Sequence, residues 1–335
     1  MLRPAPYETV LKPYGAALVD LALKRDDIVC LGGDLTRQTE TDLFRDRIPE
    51  RFFNAGMAEA NLIGMAAGLA RSGLKPFVNT FGVFATRRPY DQVAISVAYP
   101  NLPVRLVGFM PGLSSPGGPS HQAIDDVALM RVLPNMTVID VADAGEVSAV
   151  VEEIVDLEGP VYLRLKRGEI PVIFDESYTL SLGQATVIKP GGEVVVVASG
   201  MMLAPAIKAT EVAADAGIDV GLVYVPVLKP LDSDTVLEAA NGAKGIITAE
   251  NHSVVGGLGS AIAEAMAEAG FGVPLRRIGV QDVFATAGSR PYLFKEFGLS
   301  ARAIAERIWE LSGATSQMPV FAEVTEERPG VHEPV

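Results

Sequence analysis

The sequence predicts an α/β protein of two doubly wound domains. Three observations carry that expectation. Short apolar runs rich in valine, isoleucine and leucine recur at residues 28–31, 104–107, 161–165, 194–198 and 219–225. Helical patterns of about 10 to 15 residues separate most of them, the alternation that builds parallel sheets. A polar, proline-punctuated stretch divides the 335 residues, a length suited to two ordinary domains. We place the first domain at residues 1–166, a linker at 167–192, the second domain at 193–312 and a flexible tail at 313–335.

Composition narrows the function. Hydrophobic residues make up 49% and charged residues 21%, which describes large buried cores. The mean hydropathy of +0.28 is high enough to suggest apolar surface meant for a partner chain. A net charge of -13 argues against nucleic acid or an anionic membrane as partners. Cys30, the lone cysteine, lies inside an apolar run and reads as a buried strand residue. A disulfide within the chain is thereby excluded, which fits a reducing cytoplasm. No apolar run reaches the roughly 18 residues of a membrane span, and no signal-peptide core is visible, so a cytoplasmic protein is expected.

In chain order, residues 14–25 (YGAALVDLALKR) have an amphipathic helix pattern ended by Asp26 and Asp27. Residues 28–31 are a buried strand, and Gly32, Gly33, Asp34 and Leu35 form its exit loop. Residues 52–54 make a brief strand before Gly56. From there Leu62, Ile63, Met65, Ala66, Leu69 and Ala70 approach the i, i+3, i+4, i+7 spacing of a buried helix face. Glu59 stands in the first turn, where the macrodipole favours a negative charge. A strand at 75–80, a helix at 83–98 and a strand at 104–107 follow. A glycine- and proline-rich loop, residues 108–122 (GFMPGLSSPGGPSHQ), precedes a helix at 124–131. A strand at 137–139, a helix at 144–155 and a strand at 161–165 complete the first domain.

The second domain opens on a fully buried strand, residues 194–198 (VVVVA). Gly200 and Pro205 bracket the start of a helix running to Ala216, and residues 219–225 are the next strand. The alternation continues through 245–248, 256–269 and 274–278 and is lost after Leu311. The tail is rich in proline and glutamate, as in segments that stay mobile or wrap a partner.

Three histidines are present, His121, His252 and His332. His121 ends the long loop after a strand, and open α/β sheets bind ligands beyond the carboxyl ends of their strands. Loops of that length inside compact domains are usually functional or disordered, and histidine exchanges protons readily near neutral pH. His252 precedes Gly256-Gly257-Leu258-Gly259, which either cradles phosphate at a helix start or permits close helix–sheet packing. Phe81, Phe84, Arg87 and Tyr90 are three apart and read as one helical face, either core or a cofactor clamp. The acids Asp34, Glu59, Asp125, Asp126 and Glu250 show no metal-ligand spacing, so no metal site is expected in this chain. Neither HExxH, CxxC, GxSxG nor a Walker lysine occurs.

Several ordered motifs resemble those of transketolases. They are residues 51–61 (RFFNAGMAEAN), 75–85 (KPFVNTFGVFA) with Tyr90-Asp91-Gln92, Ser120-His121-Gln122, 133–138 (LPNMTV), 159–164 (GPVYLR) and 249–259 (AENHSVVGGLG). The resemblance spans about residues 14–311 and implies a pyrimidine-binding domain followed by a transketolase C-terminal domain. The Gly-Asp-Gly of the family's diphosphate domain is absent from these residues. The resemblance therefore implies one subunit of a split, thiamine-diphosphate-dependent transketolase, active with a partner subunit that holds Mg²⁺ and the cofactor's diphosphate, in a heterotetramer. Glu59 matches the glutamate that hydrogen-bonds the cofactor's aminopyrimidine. Phe81 and Phe84 match the aromatic wall for that ring, with Arg87 and Tyr90 beside them, and Asp34 and Leu35 match the Asp-Leu loop at the cofactor. His121 matches the histidine that binds or protonates substrate oxygens, and Arg167 an arginine that contacts a substrate phosphate.

The loop departs from the family pattern. Met110 stands where a first histidine is usual, and Gly117 where an aspartate senses a substrate hydroxyl. This implies ketol transfer from a non-standard sugar phosphate, branched, deoxy or less polar. Two other readings stay open: the beta subunit of a 2-oxoacid dehydrogenase, and a non-catalytic regulatory subunit. Ser120-His121-Gln122 and the Leu-Pro-Asn-Met run favour transketolase over the first. Retention of Glu59, Phe81, Phe84 and His121 argues against the second.

Overall fold

A computed structural model of the protein describes residues 1–321. His332 and most of the predicted tail lie outside the described residues. The chain begins with β1 (Thr9–Leu11) and α1 (Pro13–Lys24), whose first position is a proline with no N–H to lose there. Then come β2 (Ile28–Gly32), α2 (Asp42–Arg47), β3 (Phe52–Asn54), α3 (Glu59–Arg71), β4 (Lys75–Phe81) and α4 (Gly82–Thr86). After a π-helix over Gln92–Ala98 follow β5 (Arg105–Phe109), α5 (Asp126–Arg131), β6 (Thr137–Asp140), α6 (Ala144–Ile154) and β7 (Val161–Leu165). The middle of the chain carries β8 (Glu169–Pro171) and β9 (Thr186–Lys189). Beyond it lie β10 (Val194–Ala198), α7 (Leu203–Asp215), β11 (Val220–Tyr224), β12 (Val227–Lys229) and α8 (Ser233–Ala239). The last elements are β13 (Gly245–Ser253), α9 (Leu258–Glu268), β14 (Leu275–Val280), α10 (Arg290–Glu296) and α11 (Ala301–Ser312).

The strands form two main sheets. The larger has the order β12-β6-β7-β5-β4-β2-β3 and the smaller β14-β13-β10-β11-β9. All pairings are parallel except those of the edge strands β12 and β9, which run antiparallel. Helices cover both faces of the larger sheet, so its central strands are buried along nearly their whole length. Val29 and Leu31 of β2 join the core under α3, while Ile28 and Cys30 join the core under α1 and α6. Burial of Leu62 and Ile63 on α3 stabilises that layer by about 1.5–3 kcal/mol each.

Three features differ from the sequence reading. The predicted helix at 83–98 is broken after Thr86, because Pro89 offers no N–H and restricts Arg88 before it. The chain resumes as a π-helix, in which Tyr99 N–H bonds the Ala94 carbonyl. The predicted linker is not structureless: β8 pairs with β1, and β9 becomes an edge of the second sheet. These strands are too short and polar to show a period. Third, β12 comes from the second half of the sequence yet completes the first sheet against β6. The halves are thus fastened by an exchanged strand.

One buried acid lies outside every predicted site. Glu40 is 2% exposed; its Oε2 accepts the Gly15 N–H at 3.0 Å, while Oε1 has no partner. Burial pushes its carboxyl up to about 7. A folded-state pKa above the unfolded one gives stability that is full below about pH 4.5 and lost as pH rises through about 7. Glu40→Gln keeps an acceptor for Gly15 and cannot ionise. Relative to the wild type it should gain about 2–3 kcal/mol between about pH 5 and pH 8 in urea unfolding. A constant difference across that range would refute the buried ionisation.

Candidate functional site

The expected site residues converge because five neighbouring strands run parallel. Asp34 and Leu35 follow β2, Glu59 follows β3, and Phe81, Phe84, Arg87 and Tyr90 end or follow β4. Met110, Gly117 and His121 follow β5, and Arg167 follows β7. After β2 the chain steps to β3 on one side, then to β4 on the other. That reversal opens a crevice beyond the strand ends, where α/β sheets bind ligands.

At its centre Glu59 is 5% exposed at the first position of α3. Its Oε1 receives a hydrogen bond from Arg88 Nη1 at 2.8 Å. The Arg88 guanidinium lies 4.1 Å above the Phe84 ring. Phe84 stacks on Phe81 with ring centroids 5.9 Å apart, and His121 meets Phe84 edge-on at 5.3 Å. Glu59, Arg88, Phe84 and His121 therefore form one chain of contacts. His121 Nδ1 also shares a hydrogen bond with Ser120 Oγ at 2.9 Å.

The His121 loop is anchored at both ends. Arg87 Nε bonds both oxygens of Asp125, at 3.0 and 2.9 Å, and Arg87 Nη2 donates to the Gln122 carbonyl at 3.3 Å. Tyr90 donates to the Leu129 carbonyl at 3.1 Å on α5. Arg87 and Tyr90 thus face the loop and α5, and they do not share one helical face with Phe81 and Phe84. The second domain holds the rest. Asn251 accepts from Leu113 N–H at 2.9 Å and donates to the Pro111 carbonyl at 3.0 Å. Gln122 donates to the Thr286 carbonyl at 3.0 Å.

The remaining predicted positions divide. Asp34 is exposed with φ 66, its N–H bonded to Asn54 Oδ1 at 3.2 Å, and Leu35 packs with Phe84 against the core that holds Phe81. Gly117 leaves room for the histidine: a Cβ there would come 3.0 Å from His121 Cβ and Cγ. Met110, directly after β5, is 5% exposed, its apolar side chain packed with the core that holds Phe81. Arg167 is half-buried in the loop after β7. Among the described residues no group of three or more His, Cys, Asp or Glu is placed to hold a metal ion.

The glycine loop near His252 resolves to packing. Glu250 fills that helix start, accepting N–H bonds from Leu258 at 2.7 Å and Gly259 at 2.8 Å. His252 is fully buried; Nδ1 donates to the Ser253 carbonyl at 2.7 Å and Nε2 accepts from Ala128 N–H at 3.3 Å. Burial lowers its pKa to about 4, so it is a neutral strut between the domains. Arg88, Asp125, Ser120 and Asn251 were not singled out as site residues. Their side-chain partners other than neighbours in the chain are 29 or more residues away, and no local pattern marks them.

Comparison with known proteins agrees with this architecture. Residues 9–172 match the model of the transketolase pyrimidine binding domain, and residues 183–304 that of the transketolase C-terminal domain. A transketolase family protein of Sinorhizobium fredii is 43% identical over 89% of this chain and 87% of its own. A 6-deoxy-6-sulfo-D-fructose transketolase subunit of a Clostridium species is 41% identical, over 89% and 93% respectively. A solved split-gene transketolase, described as an inactive beta4 tetramer, superposes with a TM-score of 0.83 at 41% identity, covering 90% of this chain and 97% of that one. The chain belongs to the transketolase family.

Proposed function

We propose that this chain is the pyrimidine-side subunit of a thiamine-diphosphate-dependent transketolase, transferring a two-carbon ketol unit from a ketose to an aldose. The observation that supports this most is the contact chain from buried Glu59 through Phe84 to His121 at one sheet edge. The residues suit the cofactor's ring: a carboxylate at a helix start for its nitrogen, and a stacked Phe81–Phe84 pair for its face. Thiamine diphosphate, when bound, would supply the electron sink for breaking a carbon–carbon bond next to a carbonyl. Glu59 would hold or pass a proton at the ring nitrogen, and the phenylalanines would fix the ring and keep water away. His121, with Nδ1 bonded to Ser120, would offer Nε2 to a substrate oxygen. Asp34 and Leu35 would border the cofactor, and Arg167 a substrate phosphate.

A partner subunit would hold the diphosphate and Mg²⁺, and the pair would assemble as a heterotetramer. The names of the Clostridium relative and of the solved split-gene protein, both subunits of similar length, support that arrangement. The name of the Clostridium relative also favours a ketose altered away from its carbonyl end. Gly117 fits this, because it places no acidic acceptor beside His121. Steady-state rates of the co-purified pair with thiamine diphosphate and Mg²⁺ over a ketose panel test the reading. The expected result is a preference for a sulfonated, branched or deoxy ketose over xylulose 5-phosphate. A clear preference for xylulose 5-phosphate would overturn the substrate choice, and no ketol transfer at all would overturn the activity.

Arg87 separates two roles within the site. If it acts by holding the His121 loop, Arg87→Ala should lower kcat/KM for the ketose by about ten- to a hundred-fold through misplacement of His121. Thiamine diphosphate affinity should stay within about two-fold, since the guanidinium is bound to Asp125. Loss of cofactor affinity with unchanged ketose KM would place Arg87 on the cofactor instead.

A further inference from the structure

Arg88 makes the two contacts that the proposed function assigns to the cofactor's aminopyrimidine ring. Its guanidinium donates to Glu59 Oε1 at 2.8 Å and its Cζ sits over the Phe84 ring, 4.1 Å from the centroid. A guanidinium is planar, delocalised, rich in N–H donors and prone to stack on aromatic faces. Those are the properties by which a protonated aminopyrimidine would be recognised at the same place. The side chain is half exposed, whereas the Glu59 it covers is 5% exposed. Its neighbours are fixed: the Arg87 side chain is bound to Asp125, and Pro89 restricts the backbone of Arg88 itself. The side chain is therefore the part free to swing.

We infer that Arg88 is an internal stand-in for the cofactor's ring, closing Glu59 and Phe84 until that ring displaces it. The inference rests on the reading of Glu59 as the ring's partner. Arg88 takes Glu59 Oε1 and lies over the Phe84 ring, so a cofactor ring that uses that oxygen and that face must displace it, and the two compete. When the binding-competent state is only a fraction of the population, the apparent affinity falls by that fraction. A half-exposed ion pair and a cation over an aromatic ring together set that fraction near one in ten. The stand-in also gives the chain without cofactor a paired carboxylate at the crevice.

The test is calorimetric titration of thiamine diphosphate, with Mg²⁺ present, into the co-purified subunit pair carrying wild-type Arg88, Arg88→Met, Arg88→Ala or Arg88→Lys. Methionine keeps an unbranched stem over Phe84 but cannot donate to Glu59. The cofactor should bind Arg88→Met and Arg88→Ala on the order of ten-fold tighter than wild type, with Arg88→Lys between. If one of the two neutral variants does not fold, the other decides. Unchanged or weaker binding in a folded neutral variant, with normal binding by the wild type, would overturn the stand-in alone. Absence of binding by the wild-type pair would overturn the reading of Glu59 and the stand-in with it.

Discussion

Glu59→Gln in the reconstituted pair is expected to lower kcat by about 10²–10⁴-fold, the range associated with losing a positioned proton-transfer group. Glutamine has the size of glutamate and can still accept one hydrogen bond, but it cannot carry the charge or take the proton. The fold should survive. The Arg88 partner is half exposed, so solvent screens the lost pair, and the combined loss of pairing and helix-start charge is within about 1 kcal/mol. Steady-state rates and thermal melts on the same preparations check both halves of the expectation. A kcat within three-fold of wild type, in a folded variant, would sink the catalytic role and favour a regulatory subunit. Loss of activity with a collapsed melting temperature would instead reveal a packing residue. Glu59→Ala serves as the control that removes the carboxamide as well.

What could be read from the sequence followed from burial. Strands β2, β5, β7, β10 and β11 are buried at every position, and each showed as a short, largely apolar run, broken by a charge only at Arg105 in β5 and Arg164 in β7. Helix α3 was visible because one face is apolar and the other is not. By contrast β8, β9 and β12 are three or four residues long and sit at edges or between domains, where alternation has no length in which to appear. The exchanged position of β12 could not be read at all, since strand order is not written in periodicity. The same division holds at the site. Glu59, Phe81, Phe84 and His121 stood in recognisable local motifs, and the parallel strand ends bring them together. Arg88 stands in no recognisable motif and acquires meaning only when the start of α3, 29 residues upstream, folds onto it. The burial of Met110 beside the crevice was likewise not legible in the loop motif, because it follows from the position of the residue at the end of a buried strand.

Arg164→Met should destabilise the protein by about 3–5 kcal/mol, the usual cost of removing one partner from a buried charge network. Arg164 is 1% exposed and grips Asp126 with two hydrogen bonds, Nε to Oδ2 at 2.8 Å and Nη2 to Oδ1 at 3.1 Å. Its Nη1 donates to Asp140 at 2.7 Å, and its Nη2 also donates to the Asn251 carbonyl at 3.0 Å. Tyr162 adds a bond to Asp126 at 2.7 Å, and Ser199 one to Asp140 at 3.4 Å. Asn251 and Ser199 belong to the second half of the chain, so this one guanidinium joins both halves beneath the His121 loop. Without it two buried carboxylates face each other unpaired, and burial already raises Asp140 with the arginine present. The stranded acids can escape only by taking up protons. In the variant the folded-state pKa of Asp140 should lie above that of the unfolded chain, so stability should recover as pH falls from about 7 toward about 4. Changing Asp126 and Asp140 to leucine alongside Arg164→Met removes the charges together and should restore most of the loss if packing allows. Urea unfolding of the single and triple variants across that pH range separates the two causes. A single variant within 1 kcal/mol of wild type, or one whose deficit does not change with pH, would mean that the network contributes through shape and not through charge.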